Sequence, residues 1–157
     1  MADFTDLFHL DMIIVNVDVL SKEEALRFMS NELQKNGYVE NGYYDMLIAR
    51  ENEYPTGLAT QPFQVAIPHT DPLHVLRPCI AVLKLKTPIT FTEMTKIRKV
   101  DVRYIFGLIL KKNKDQVSLL QKFINLFSDE KKMIGLMNAT TPAEILNVLS
   151  LHENERK

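Results

Sequence analysis

Two histidines, His69 and His74, lie in the proline-rich segment 54–78 and are the side chains best suited to chemistry. His69 directly follows Pro68, whose ring fixes one backbone torsion and removes an amide donor. The short apolar run 65–67 comes just before this pair and is typical of a strand. The sequence therefore predicts an imidazole on a stiffened turn at a strand end, in the kind of irregular segment that often holds a site.

Three kinds of histidine chemistry are open to His69 at this point. A metal site would combine it with Asp71 and His74, but Pro72 prevents the helical spacing of two-histidine motifs and no further strong ligand is near. A hydrolase triad would need a nucleophile, and neither a G-x-S-x-G motif nor a suitable cysteine context is present. In the third, the neutral imidazole itself accepts a phosphoryl group. A histidine that only satisfies local backbone groups is the alternative without chemistry.

Hydrophobic patterns predict the elements that must position His69. Besides 65–67, strands are predicted at 12–17, 80–86 and 100–110, with a short edge strand at 89–91. Helices are predicted after the capping-box spacings Ser21–Glu24 and Thr141–Glu144, from Asn41 to Pro55, at Met133–Met137, and along a stripe of Val117, Leu120, Ile124 and Phe127 widened by Leu119 and Phe123. Because helices precede, interrupt and follow the strands, we expect an α/β fold (α+β in some schemes). It would be a three-layer α/β/α sandwich around a mixed β-sheet, with a single domain over 1–157.

The net charge of −1 is the balance of stretches with opposite charge. Residues 1–79 carry 5 basic and 12 acidic side chains, residues 84–114 carry 9 and 2, and residues 115–157 carry 5 and 6. A near-neutral chain is poorly suited to coat nucleic acid or an anionic membrane. The single cysteine excludes a disulfide framework, and no apolar run reaches the ~18 residues of a membrane span. We therefore expect a cytoplasmic protein without a targeting segment or direct membrane insertion.

Three motifs lie in a fixed order around His69. They are Ala49-Arg50-Glu51, Tyr54-Pro55-Thr56-Gly57-Leu58, and Val65-Ala66-Ile67-Pro68-His69-Thr70-Asp71-Pro72. Together they resemble the enzyme IIA domains of the bacterial sugar phosphotransferase system (PTS), of the fructose/mannitol type and within it the galactitol-specific branch. The resemblance covers essentially the whole chain in length and in the order of its elements.

The resemblance implies a role in a phosphoryl relay. In that family, the histidine that corresponds to His69 takes phosphate from the phosphocarrier protein HPr. It then passes the phosphate to a cysteine of an enzyme IIB component, with a IIC membrane permease in the same system. Arg50 matches the family arginine beside the phosphohistidine, and its guanidinium fork suits phosphate oxygens. The scheme requires no metal, nucleotide or organic cofactor.

Two positions depart from the family pattern. Mannitol- and fructose-type members usually carry a second histidine where this chain has Gln116, whose amide can orient a phosphoryl group but cannot transfer a proton. The galactitol-like branch often has Gln there. Thr70 stands where many members have Gly, and its hydroxyl either caps the turn or contacts the phosphate. Thr56 of the second motif is a further candidate for contact with the substrate phosphate.

A phosphorylation-dependent regulatory module without a transport role is the main alternative function. Enzyme IIA-like domains also act as signalling proteins or as parts of transcription regulators, although this sequence has no recognisable DNA-binding segment. A small-molecule-binding domain without phosphate chemistry is a more distant alternative. Galactitol itself follows only from the subgroup, because the membrane component of such a system binds the sugar.

Overall fold

A mixed five-stranded sheet forms the centre of the protein, which we describe for residues 4–150 of a computed structural model. Its strands are β1 (Phe8–Val17), β2 (Gly57–Leu58), β3 (Gln64–Ala66), β4 (Cys79–Thr92) and β5 (Lys99–Ile109). Their order across the sheet is β1-β4-β5-β3-β2. The pairs β1/β4 and β3/β5 are parallel, whereas β4/β5 and β2/β3 are antiparallel. The predicted mixed sheet is confirmed.

Five helices cover the two faces of this sheet. They are α1 (Lys22–Lys35), α2 (Tyr43–Glu53), α3 (Lys114–Phe127), α4 (Glu130–Asn138) and α5 (Pro142–Leu149). One apolar cluster joins α1 and α2 to the sheet through side chains such as Met29 and Leu47. A second cluster joins α3, α4 and α5 to the other face through Phe123, Met133 and Ile145. The predicted three-layer α/β/α arrangement is therefore confirmed. Within the described residues, no helix is long and apolar enough to cross a membrane.

Both predicted capping boxes begin a helix. At α5, the Thr141 hydroxyl accepts a hydrogen bond from the Glu144 backbone N–H, and the Glu144 carboxylate accepts from the Thr141 N–H. At α1, the Ser21 hydroxyl accepts from the Glu24 N–H at 3.1 Å, but the Glu24 carboxylate reaches one residue further, to the Leu20 N–H. In both cases side chains supply partners for backbone groups that a helix end leaves unpaired.

The segment 89–91 is not the separate edge strand that its pattern predicts. It continues β4, where Ile89 pairs with Val102 of β5 after a register shift. Pro88 lies within this irregular stretch. In the sequence it indicates a strand break, since proline has no N–H to donate to a neighbouring strand. Here it is tolerated because the pairing of β1 with β4 ends at Leu85, so that no strand continues on that side.

The buried face of α3 confirms part of the predicted stripe, because Leu119 and Phe123, which widened it, are buried, but its centre is shifted. Val117 and Ile124 are 75% and 54% exposed, whereas Leu119, Phe123 and Leu126 are buried. Both sets have helical spacing, so the sequence alone does not decide which one meets the sheet. The position of α3 is decided by long-range packing, in which the Phe123 ring lies 5.3 Å from the Phe106 ring of β5.

Substitution of two neighbouring residues on α3 tests this corrected face. Phe123→Ala should lower the free energy of unfolding by about 3–5 kcal/mol, because it leaves a cavity in the second apolar cluster. Ile124→Ala, the matched control, should change it by less than ~0.5 kcal/mol, because the side chain is exposed. Urea unfolding at equilibrium measures both values. Equal losses of stability in the two variants would contradict the assignment.

Candidate functional site

The backbone of His69 is held against β5 at the end of β3. The Leu108 N–H donates a 3.0 Å hydrogen bond to the Pro68 carbonyl, and His69 forms an isolated parallel bridge with Leu108. The short strand β3 pairs in parallel with β5 just before this point, through Ala66 and Ile105. The predicted turn at a strand end therefore places the imidazole beside the end of β5.

One ring nitrogen of His69 is used by the protein itself. Nδ1 lies 2.8 Å from the Ile67 carbonyl oxygen. A carbonyl can only accept, so Nδ1 carries the proton and Nε2 keeps the lone pair. Burial lowers the pKa of the half-buried ring, the Arg50 charge lowers it further, and the bond to Ile67 opposes both effects. The imidazole is consequently neutral near pH 7, with Nε2 as its nucleophilic atom.

Arg50 reaches the site from the last turn of α2. Its Nη1 lies 3.9 Å from the Asp71 Oδ1, and its guanidinium lies 5.0 Å from the centre of the Tyr54 ring. Its charge also lowers the pKa of His69, although burial of the ring is the larger cause. Because Asp71 is two-thirds exposed, this ion pair is weak and can be exchanged for a stronger anion.

Gln116 approaches from the opposite layer, in the first turn of α3. Its Nε2 donates a 3.3 Å hydrogen bond to the backbone carbonyl of Thr70. The Thr70 side chain is buried, and its hydroxyl has no hydrogen-bond partner within residues 4–150. Arg50 and Gln116 thus hold the two residues that follow His69. Four of the residues singled out from the sequence, His69, Thr70, Arg50 and Gln116, therefore lie around one turn.

Thr56 lies beneath this turn with its donors already engaged. Its backbone N–H and its hydroxyl donate to the two carboxylate oxygens of Glu51, each at 2.8 Å. Its carbonyl accepts from the Ile67 N–H at 3.2 Å. Thr56 therefore joins the second motif to the third, and its hydroxyl proton is not available to a bound phosphate in this arrangement.

Gly57 of the same motif allows another part of the chain to approach. A Cβ at this position would lie 2.7 Å from the Thr92 carbonyl oxygen and from a methyl group of Val100. The Met94 N–H also donates a 2.8 Å hydrogen bond to the Gly57 carbonyl. The extended β4–β5 hairpin thereby closes over the segment that carries Thr56.

Glu51 is a buried carboxylate whose role the sequence did not reveal. It is 2% exposed, and burial raises its pKa from 4.5 to about 7, although the Thr56 hydrogen bonds and the Lys22 charge oppose this shift. The spacing of the sequence does indicate that Glu51 is buried. Tyr43, Leu47 and Glu51 follow one another at intervals of four, and all three are buried on one face of α2. A carboxylate on the buried face of a helix indicates a specific internal partner.

His74 does not face the His69 ring. Its Nδ1 lies 3.4 Å from a carboxylate oxygen of Glu40, and its ring packs against Gly42 at the start of α2. Across the described residues, no three His, Cys, Asp or Glu side chains are grouped in a way that could hold a metal ion. The arrangement at His69 instead offers a neutral nucleophile, an arginine and an amide donor.

A family model supports the same interpretation. Residues 6–151 match the family described as "Phosphoenolpyruvate-dependent sugar phosphotransferase system, EIIA 2". The chain belongs to this family. As an EIIA component it is a phosphotransferase, and the resemblance of the motifs around His69 to enzyme IIA domains is confirmed.

Individual relatives of this EIIA chain come from sugar-alcohol systems. The galactitol-specific EIIA component of Escherichia coli (strain K12) is 29% identical over 105 residues, which cover 67% of this chain and 70% of that protein. The mannitol-specific enzyme IIA component of Halalkalibacterium halodurans is 29% identical over 142 residues, or 88% and 91% of the two chains. A solved complex of E. coli mannitol IIA with phosphorylated IIB has the same fold, with a TM-score of 0.75, 24% identity and coverage of 91% and 96%.

Glu51→Gln should weaken the pH dependence of folding stability. Because the pKa of Glu51 is raised from 4.5 to about 7, the folded state binds a proton that the unfolded chain releases. Relative to its ionised form, the protonated Glu51 carboxyl therefore adds about 3 kcal/mol to the free energy of unfolding below about pH 4.5. This contribution is lost as the pH rises through 7. Urea unfolding from about pH 5 to about pH 8 measures the slope.

A matched control for this prediction is Glu53→Gln, on the same helix. Its side chain is exposed, so the control should keep the slope of the unmodified protein. An unchanged slope in Glu51→Gln would show that the buried carboxyl does not take up a proton on folding.

Proposed function

We propose that this EIIA chain is a cytoplasmic phosphoryl carrier in sugar-alcohol uptake, with the galactitol type as the favoured subgroup. In this proposal, His69 accepts phosphate from phospho-HPr and passes it to a IIB component, which works with a IIC permease. The observation that carries the proposal is the ring of His69, whose Nε2 is free for attack beside Arg50. Family membership supplies the reaction class.

In the loading step, the Nε2 lone pair attacks phosphorus. A nitrogen–phosphorus bond forms on His69, the bond between phosphorus and the donor breaks, and its electron pair leaves with the donor. The hydrogen bond from Nδ1 to the Ile67 carbonyl selects the attacking nitrogen and fixes the plane of the ring. In the unloading step, a nucleophile of the IIB component bonds to phosphorus, the nitrogen–phosphorus bond on His69 breaks, and its electron pair returns to Nε2.

Arg50 stabilises the charge on the transferred group. Its guanidinium offers paired donors to phosphate oxygens and stays charged at every physiological pH. In the unphosphorylated protein it is held by Asp71 at 3.9 Å, an exposed pair that a dianionic phosphoryl group can displace. Gln116 orients the turn through Thr70 and presents its amide to the same space. The unpartnered hydroxyl of Thr70 is the further donor that we assign to the phosphate.

The similar proteins described above support the proposed partners and sugar class. The solved E. coli complex pairs a mannitol IIA protein with a phosphorylated IIB protein, which supports a IIB component as acceptor for this chain. The two sequence relatives are named for galactitol and mannitol, and both are hexitols. Gln116 favours galactitol between them, because the galactitol-like branch often has Gln at this position.

His69→Ala should abolish phosphorylation without unfolding the protein. With phosphoenolpyruvate, enzyme I and HPr, the unmodified chain should take up labelled phosphate and the variant none, because the attacking nitrogen is gone. His74→Ala is the matched control and should label normally, since that ring faces Glu40. Label on the His69→Ala variant equal to that on the unmodified chain would refute the role of His69.

The same assay separates transport from regulation. Addition of a IIB protein should remove the label from His69 and place it on IIB. Stable label that no IIB protein accepts would support the regulatory alternative, and failure of the unmodified chain to label would support a binding domain without phosphate chemistry.

Arg50→Lys should slow phosphoryl transfer by about tenfold or more, because a point charge replaces a fork that binds two oxygens. The initial rate of labelling, measured under single-turnover conditions, is the readout. Arg27→Lys, which alters an exposed arginine on α1, is the control and should leave the rate unchanged. Transfer at the unmodified rate in Arg50→Lys would show that Arg50 does not contact the phosphoryl group.

A further inference from the structure

A cavity of about 390 Å³ lies far from His69, at the beginning of β3 and β5. Its volume falls within the ~300–1,000 Å³ that is usual for small-molecule sites. It is lined by the loop 60–63 and by Gln64, Lys84, Pro88, Asp101, Arg103 and Met137. Arg103 lies five residues before Leu108 on β5, which places the cavity roughly 15 Å along the strand from the His69 turn.

Arg103 is the residue that makes this cavity unusual. Its Nε–H is buried and has no acceptor in the described part of the chain, and no carboxylate there pairs with its guanidinium. It lies where the pairing of β5 shifts register against both neighbouring strands. A buried donor without a partner costs about 1–3 kcal/mol, and more on a charged group. Because the Nε–H itself is closed to solvent, a ligand would bind the other N–H groups of this half-buried guanidinium, whose residue lines the cavity.

Lys84 adds to the positive charge instead of neutralising it. Its Nζ donates to the backbone carbonyls of Leu136, Met137 and Ala139 at the end of α4, at 3.3, 3.0 and 2.5 Å. The charge of Arg103 contributes to lowering the pKa of Lys84, although burial is the larger cause. Both cations line the cavity, so an anion bound there would be attracted by both, against the opposing charge of the Asp101 carboxylate that also lines it.

The other residues that line the cavity can bind the hydroxyl groups and the apolar C–H groups of a ligand. The Thr60 hydroxyl donates to the Phe63 carbonyl, which leaves its oxygen free to accept. The Gln64 Oε1 accepts from the Asp101 N–H, which leaves its amide N–H groups free to donate, and the Asp101 carboxylate can accept from a hydroxyl. The rings of Pro62 and Phe63 provide apolar surface beside these groups.

We propose that this cavity binds the phosphate monoester of a small polyol, with the phosphate on Arg103 and the hydroxyls on the amide and carboxylate side chains around Gln64. The chemistry of the site points to an anionic group joined to a polyhydroxylated chain, because Arg103 and Lys84 line the cavity together with the amide of Gln64 and the carboxylate of Asp101. Such a compound belongs to the class that a sugar phosphotransferase system produces. The binding step involves no covalent chemistry and does not depend on the role of His69.

A titration followed by ¹H–¹⁵N NMR tests the proposal on the full chain with the His69→Ala substitution, so that the candidate phosphorylation site contributes nothing. Mannitol 1-phosphate is the probe, with inorganic phosphate and mannitol as the two comparison ligands. We expect saturable shifts of the amides near Gln64 and Asp101 with mannitol 1-phosphate. Weaker binding is expected for inorganic phosphate, and none for mannitol.

Arg103→Gln should raise the Kd for mannitol 1-phosphate at least tenfold, because it removes the charged donor from the cavity. Arg27→Gln makes the same change on exposed α1 and should leave the Kd unchanged. Arg103→Lys keeps the charge but loses the fork, and should weaken binding less than Arg103→Gln does. Arg103→Lys also tests the role of Arg103 if the Arg103→Gln variant does not fold.

Three results would overturn the proposal. One is the absence of saturable shifts with mannitol 1-phosphate. Another is an unchanged Kd in whichever Arg103 variant folds. The third is equal affinity for inorganic phosphate, which would mean that the cavity holds an adventitious anion only.

Discussion

The hydrogen bond from the Leu108 N–H to the Pro68 carbonyl is the contact on which the site depends. It extends the parallel pairing of β3 with β5 beyond the last residue of a strand of only three residues. Proline has no N–H to donate, so Pro68 is hydrogen-bonded to β5 only through its carbonyl. His69 is the next residue, and its ring Nδ1 forms a hydrogen bond with the Ile67 carbonyl.

Both outer layers of the sandwich meet at this turn. Arg50 comes from α2 on one face of the sheet, and Gln116 comes from α3 on the other. Each holds a residue just after His69, through Asp71 and Thr70 respectively. The site therefore requires the complete fold, although its residues are few, because neither layer alone would bring a cation and an amide to the same turn.

Local patterns predicted the features that local physics decides. Capping boxes, short β-branched runs and proline breaks placed the helices and most strands, since each depends on neighbours in sequence. The exposure of Val117 and Ile124 on α3 and the pairing of 89–91 were not predicted, because distant chain segments decide which apolar residues are buried and with what a strand pairs. Among the candidate site residues, Arg50 and Gln116 came from a family resemblance. The partners of Thr56 and Glu51 required the structure.

The bond between His69 and Ile67 also settles the fate of the ring proton during the proposed transfer. When Nε2 bonds to phosphorus, Nδ1 keeps its hydrogen, and the ring becomes an imidazolium that donates more strongly to the same carbonyl. When the phosphoryl group departs, the electron pair returns to Nε2 and the ring is neutral again. The ring of His69 therefore takes up and releases no proton in either step. A side chain at position 116 therefore needs only to orient and donate, and a glutamine, which does not titrate, is sufficient there.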